Sequence, residues 1–186
     1  MGAISLVSNP PTKVSDIYND LITFGFSFLF LITMWLRYTR IMSVLPLETR
    51  RGINLNIMLL FCVSVEPFLF NLVRNPPVGA LGYSDATSTL YALDLGSMFV
   101  ILGGFDLTLA NEERKLIPKE LMRRYKIEGL SYFFCGLIFM VTAVPIFWTV
   151  RIGGEALRYD LWAVPLLLLW ILRRTNRLLD FEDTTA

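Results

Sequence analysis

The chain has 186 residues, 54% of them hydrophobic and 18% charged, with a formal net charge of +1. The charges cluster between apolar runs, which points to a membrane bundle and excludes nucleic acid and other polyelectrolyte partners. There is no histidine, so the commonest metal ligand and the usual general base near neutral pH are missing, and no nucleophile sits beside a base; neither an enzyme, a metal site nor a cofactor is expected.

Residues 1–16 are mixed, with a turn at Asn9-Pro10-Pro11, and lack the basic-then-apolar pattern of a signal peptide. The first predicted span is LITFGFSFLFLITMWL, Leu21–Leu36, extended to 17–36 by interfacial residues. The second covers 53–73, INLNIMLLFCVSVEPFLFNLV, and is stopped by Arg74, Asn75, Pro76 and Pro77. A loop over Val78–Asp85 precedes a third span at 88–110; a charged segment, Asn111–Lys126, precedes a fourth at 129–150. A fifth, the shortest, covers 157–172 with Pro165 inside. A helix rises about 1.5 Å per residue, so roughly 20 apolar residues cross a core of about 30 Å. The fold class is thus all-α: a polytopic transmembrane helix bundle of about five spans, one transmembrane domain over residues 1–186. Pro67, Pro145 and Pro165 are expected to bend their helices. Cys62 and Cys135 lie inside apolar runs and read as free, buried thiols.

Lysine and arginine divide unevenly. The turn after the first span (Arg37, Arg40, Arg50, Arg51), the 111–126 segment and the tail (Arg173, Arg174, Arg177) together hold 13, against 4 on the other side (Lys13, Arg74, Arg151, Arg158), which accounts for all 17. By the positive-inside rule the C-terminus is cytoplasmic and the N-terminus outside, in a multi-pass protein of the cell membrane. Five spans with an external N-terminus need insertion without a signal. Met1 is therefore expected to lie inside a former first span, with GAISLV as its last residues.

Acids inside spans are costly, roughly 2.5–3.5 kcal/mol for Asp at a helix centre, and usually face the bundle interior or water. Glu66 falls near the middle of the second span, Asp94 and Asp106 towards opposite ends of the third. Each reads either as a cation or proton site or as part of a polar network holding helices together. Asn56 is an interhelical amide on the same grounds. Gly103-Gly104 and Ser97 allow close helix contact. The T-V-G-Y-G potassium filter is absent, and Leu81-Gly82-Tyr83-Ser84 reads as loop.

The order of residues resembles the prokaryotic relatives of the endosomal and lysosomal transmembrane-protein-175 potassium channels. Ser27-Phe28 followed by Trp35-Leu36-Arg37-Tyr38-Thr39-Arg40 resembles that family's second span, which ends W-x-x-H-H-R. Leu55-Asn56, Leu59-Leu60-Phe61, Val63-Ser64 and Pro67-Phe68 resemble its third; Leu90-Tyr91-Ala92-Leu93-Asp94 resembles the opening of its fourth, L-Y-A-L-N. Tyr38 and Thr39 replace the histidine pair, Glu66 stands where an apolar residue is usual, and Asp94 where Asn is usual. The R-x-x-x-F-S-D signature of the family's first span is absent, and GAISL resembles only its far end.

The resemblance implies six spans in the full pattern, a homo-oligomer (a tetramer) in the lipid bilayer, and passive potassium ion conduction through an axial pore. It makes Ile4, Ser5 and Leu6 the surviving pore lining, and Trp35, Arg40 and Asn56 a packing network. The expected function is a potassium-selective or cation-permeable channel subunit. The alternatives are a proton-coupled secondary transporter using Glu66, and a non-conducting membrane scaffold.

Overall fold

The computed structural model describes residues 14–45, 50–74, 82–112, 116–152, 155–165 and 167–171. Four long helices dominate them: α1 (Val14–Met42), α2 (Arg50–Arg74), α3 (Tyr83–Leu109) and α4 (Lys119–Val141). A short helix, α5 (Ile146–Thr149), leads into an antiparallel hairpin of β1 (Arg151–Ile152) and β2 (Glu155–Ala156), then α6 (Leu157–Leu161). Residues 163–165 and 167–171 are again helical. Apart from the hairpin, the regular structure of the described residues is all helix. Among the described residues two helices, Arg50–Val73 and Tyr83–Leu109, are long and apolar enough to cross a membrane. At 1.5 Å per residue they extend roughly 36 and 40 Å.

Helix α3 is the axis of the structure. Its buried positions run around the whole helix, from Thr87 and Ser88 to Asp106 and Leu109, and α1, α2 and α4 all pack on it. Phe99 of α3 stacks on Phe139 of α4 at 5.3 Å between ring centroids, and Phe30 of α1 meets Phe99 edge-on at 5.6 Å. Offset and edge-on aromatic pairs of this kind favour one arrangement of helices over others.

Two pairs of glycines set the α3–α4 distance. Gly96 faces Gly136, and Gly103 faces Gly129, with a seven-residue spacing on both helices. A Cβ added at Gly136 would lie 2.7 Å from the Gly96 carbonyl oxygen, and one at Gly103 2.7 Å from that of Gly129. Only a residue without a side chain allows two backbones so close. Gly104, expected to share this role, instead points at Leu55 of α2, where a Cβ would find ordinary contact at 3.7 Å.

Several element boundaries differ from the sequence reading; α1 runs on to Met42, past Arg37 and Arg40. Helix α3 starts at Tyr83, not Ser88: Gly82, at φ 77°, turns the chain into it, and Asp85 in the first turn complements the helix dipole. Helix α4 starts at Lys119, inside the charged segment. It ends at Val141 because Pro145 has no N–H to give and its ring clashes with the carbonyl four residues back. Pro67, by contrast, lies within α2 without ending it.

Large apolar side chains cover the outside. Phe28 and Leu36 of α1, Phe61 and Phe68 of α2, and Leu130 and Phe134 of α4 are all at least half exposed. Hydroxyls on the same helices bond back to their own backbone: Thr33 donates to Leu29 O, Ser64 to Phe61 O, Ser97 to Leu93 O, Thr108 to Gly104 O and Ser131 to Ile127 O. Such bonds satisfy a hydroxyl without water.

Candidate functional site

The polar side chains gather inside, in three separate clusters. The first sits where α1, α2 and α3 meet. Glu66, four residues after Cys62 on α2, faces Tyr91 and Asp94, three apart on α3; these spacings put each pair on one helix face. Glu66 is fully buried. Its Oε1 accepts from Ser27 Oγ of α1 at 2.9 Å and from the Tyr91 hydroxyl at 3.3 Å. The Cys62 thiol interacts with the Asp94 carboxyl, and the Asp94 and Glu66 carboxylates lie close enough to interact through their charge. Glu66 Oε2 and Asp94 Oδ2 are buried with no hydrogen-bond partner. The aromatic rings of Phe70 and Trp162 close over Tyr91, at 5.8 and 5.4 Å. No lysine or arginine among the described residues forms an ion pair with either acid.

The second cluster is charge-balanced. Arg37 of α1 is buried and grips Asp106 of α3 with two parallel bonds, Nη2 to Oδ1 at 2.5 Å and Nε to Oδ2 at 3.2 Å. Its Nη1 reaches Glu128 of α4, which also takes Arg124 Nε at 3.2 Å. The Arg37 guanidinium lies over Tyr132 and Tyr125, 5.3 and 5.7 Å from the ring centroids. A planar, bidentate arginine between two carboxylates ties three helices at fixed orientation. The third cluster, at the opposite end of α3, joins Arg158 of α6 to Asp85 at 3.1 Å, with Trp148 stacked on the guanidinium.

The four polar candidates from the sequence therefore separate. Asp106 is paired within a network that holds helices together. Glu66 and Asp94 come together, without a cation. Asn56 lies apart from both clusters and accepts the Tyr38 hydroxyl at 2.8 Å. Trp35 and Arg40 are exposed on α1. Ile4, Ser5 and Leu6 lie outside the described residues. Ser27, Tyr91 and Arg37 were not singled out as site residues by sequence. Arg37 in particular, which the apolar pattern puts in the basic turn, is buried. The Cys62/Glu66 and Tyr91/Asp94 spacings were the signal that could have paired α2 with α3.

Among known proteins, the chain matches no family model, no curated protein and no solved structure.

Proposed function

We propose that the chain is a multi-pass protein of the cell membrane that moves a monovalent cation across the bilayer, with Glu66 and Asp94 as the station where the ion or proton is held. The observation that supports this reading is the pair of buried carboxylate oxygens, Glu66 Oε2 and Asp94 Oδ2, that no donor satisfies. Two acids at that depth need positive charge between them, supplied by protons or by a bound cation. Ser27 and Tyr91 orient the Glu66 carboxyl while leaving its second oxygen free. The surrounding pattern fits a bilayer: apolar side chains outside, polar groups inside, hydroxyls closed on their own helices.

Two forms of the function fit. A site inside one chain favours the proton-coupled transporter. The residue-order resemblance favours a potassium-permeable channel subunit, assembled as a homo-oligomer around an axial path and acting without chemical catalysis.

Reconstitution in potassium-loaded vesicles separates them. Flux that requires a pH gradient and falls in Glu66→Gln and Asp94→Asn supports the coupled site. The fall is put at about tenfold or more, the size that losing one charge-assisted contact of roughly 1.5 kcal/mol carries. Passive potassium flux indifferent to both substitutions supports the channel form and removes the carboxylate station. No flux at all leaves the scaffold.

A further inference from the structure

The face of α4 that begins at Lys119 changes character along its length. Lys119, Arg123 and Lys126, spaced four and three apart, lie on one side of the helix. They line a cleft of about 650 Å³ whose other walls are Leu107, Ala110 and Met122, with Glu112 as its acid. Among the described residues none of the three cations forms an ion pair, whereas Arg37, Arg124 and Arg158 all do.

Continuing on the same side, the residues become apolar: Leu130, Phe134, Leu137 and Val141, spaced four, three and four apart. All four are exposed. From Leu130 to Val141 the stripe runs roughly 16 Å at 1.5 Å per residue, about half of a 30 Å hydrocarbon core, which is the depth of one leaflet.

We propose that this face holds one anionic phospholipid, its phosphate headgroup in the Lys119–Arg123–Lys126 cleft and an acyl chain along Leu130–Val141. The inference rests on the membrane reading above. A soluble phosphate would use the cations but leave the apolar stripe uncovered; a lipid uses both. Basic clefts at the cytoplasmic ends of membrane helices are suited to such headgroups, and the charge asymmetry of the chain puts this end in the cytoplasm. Arginine supplies a planar fork for phosphate oxygens and lysine a point charge.

The test is retention of phosphatidylglycerol against phosphatidylcholine of the same acyl chains by the full chain in detergent, read by native mass spectrometry. Phosphatidylglycerol should be retained preferentially. Arg123→Gln with Lys126→Gln should weaken it about 25-fold, at roughly fivefold per charge. Arg123→Lys should retain it. Arg50→Gln with Arg51→Gln, which removes as much charge from residues that do not line the cleft, should change it less than about twofold, since a cation without contact to the headgroup contributes little.

Equal retention of the two lipids, or an equal loss from both double variants, would overturn the site. Displacement by glycerol phosphate at the same concentration would overturn its lipid source. A chain recovered from cells without detergent would overturn the membrane reading itself. That outcome is distinguishable from a membrane-bound chain that merely shows no lipid preference.

Discussion

Arg37 and Glu66 show how differently two buried charged residues can be placed. Arg37 sits between Asp106 and Glu128, so its removal strands Asp106 in the interior. Arg37→Ala is expected to lower stability by about 3–5 kcal/mol, the range for breaking a buried pair from one side. Arg37→Lys should recover only part, because an ammonium cannot reproduce the fork to Asp106. Unfolding of the purified variants in detergent measures both. At Glu66, Ser27→Ala removes one donor and should cost about 1–3 kcal/mol by the same measurement. Sequence placed Glu66, Asp94 and Asp106 at membrane depth but gave all three the same two readings. What separates them is a partner 69 residues away in the case of Asp106. Ser27 was visible only as one letter of a motif resemblance, because its bond to Glu66 spans 39 residues.

The glycines on α3 and α4 carry the argument at the level of elements. Gly103 and Gly104 are neighbours with opposite surroundings. Gly103→Ala would drive a methyl into the Gly129 carbonyl, which cannot give way without moving the helix; a loss of about 1–3 kcal/mol is expected, as for other overpacked sites. Gly104→Ala finds 3.7 Å to a flexible leucine and gains helix propensity, so it should be neutral or stabilising by up to about 1 kcal/mol. Melting midpoints of the two variants in one detergent decide it, and the opposite order would remove the close α3–α4 contact. Sequence suggested close packing near these residues, but the pairing with Gly129 and Gly136 needs the register between two helices, which no local pattern supplies. The bounds of the helices were less legible than their existence. Hydropathy marks where side chains turn apolar, whereas Gly82 and Pro145 mark where the backbone turns or stops.

At the scale of the molecule, large apolar side chains lie on the outside as well as in the core, and several charged groups are buried. Phe61, Phe68 and Phe134 face outward, while Glu66, Asp94, Asp106 and Arg37 are inside. The all-helical class could be read from the spacing of apolar runs, and two of its helices meet the length and hydropathy of a membrane span. The side on which each end lies rests on the charge asymmetry. Burial of Arg37 and Arg158 takes one cation from each side of that comparison and leaves the imbalance as strong as before.

Side-specific thiol labelling tests the crossing directly. The native thiols Cys62 and Cys135 are both buried, which leaves a single introduced cysteine at an exposed position as the reporter. In intact cells an impermeant reagent should modify Arg151→Cys, exposed in the loop before the fifth predicted span, and spare Glu112→Cys until the membrane is opened. Modification of both from the outside, or of neither in a chain recovered without detergent, would contradict a bundle that threads the bilayer with its arginine-rich ends in the cytoplasm.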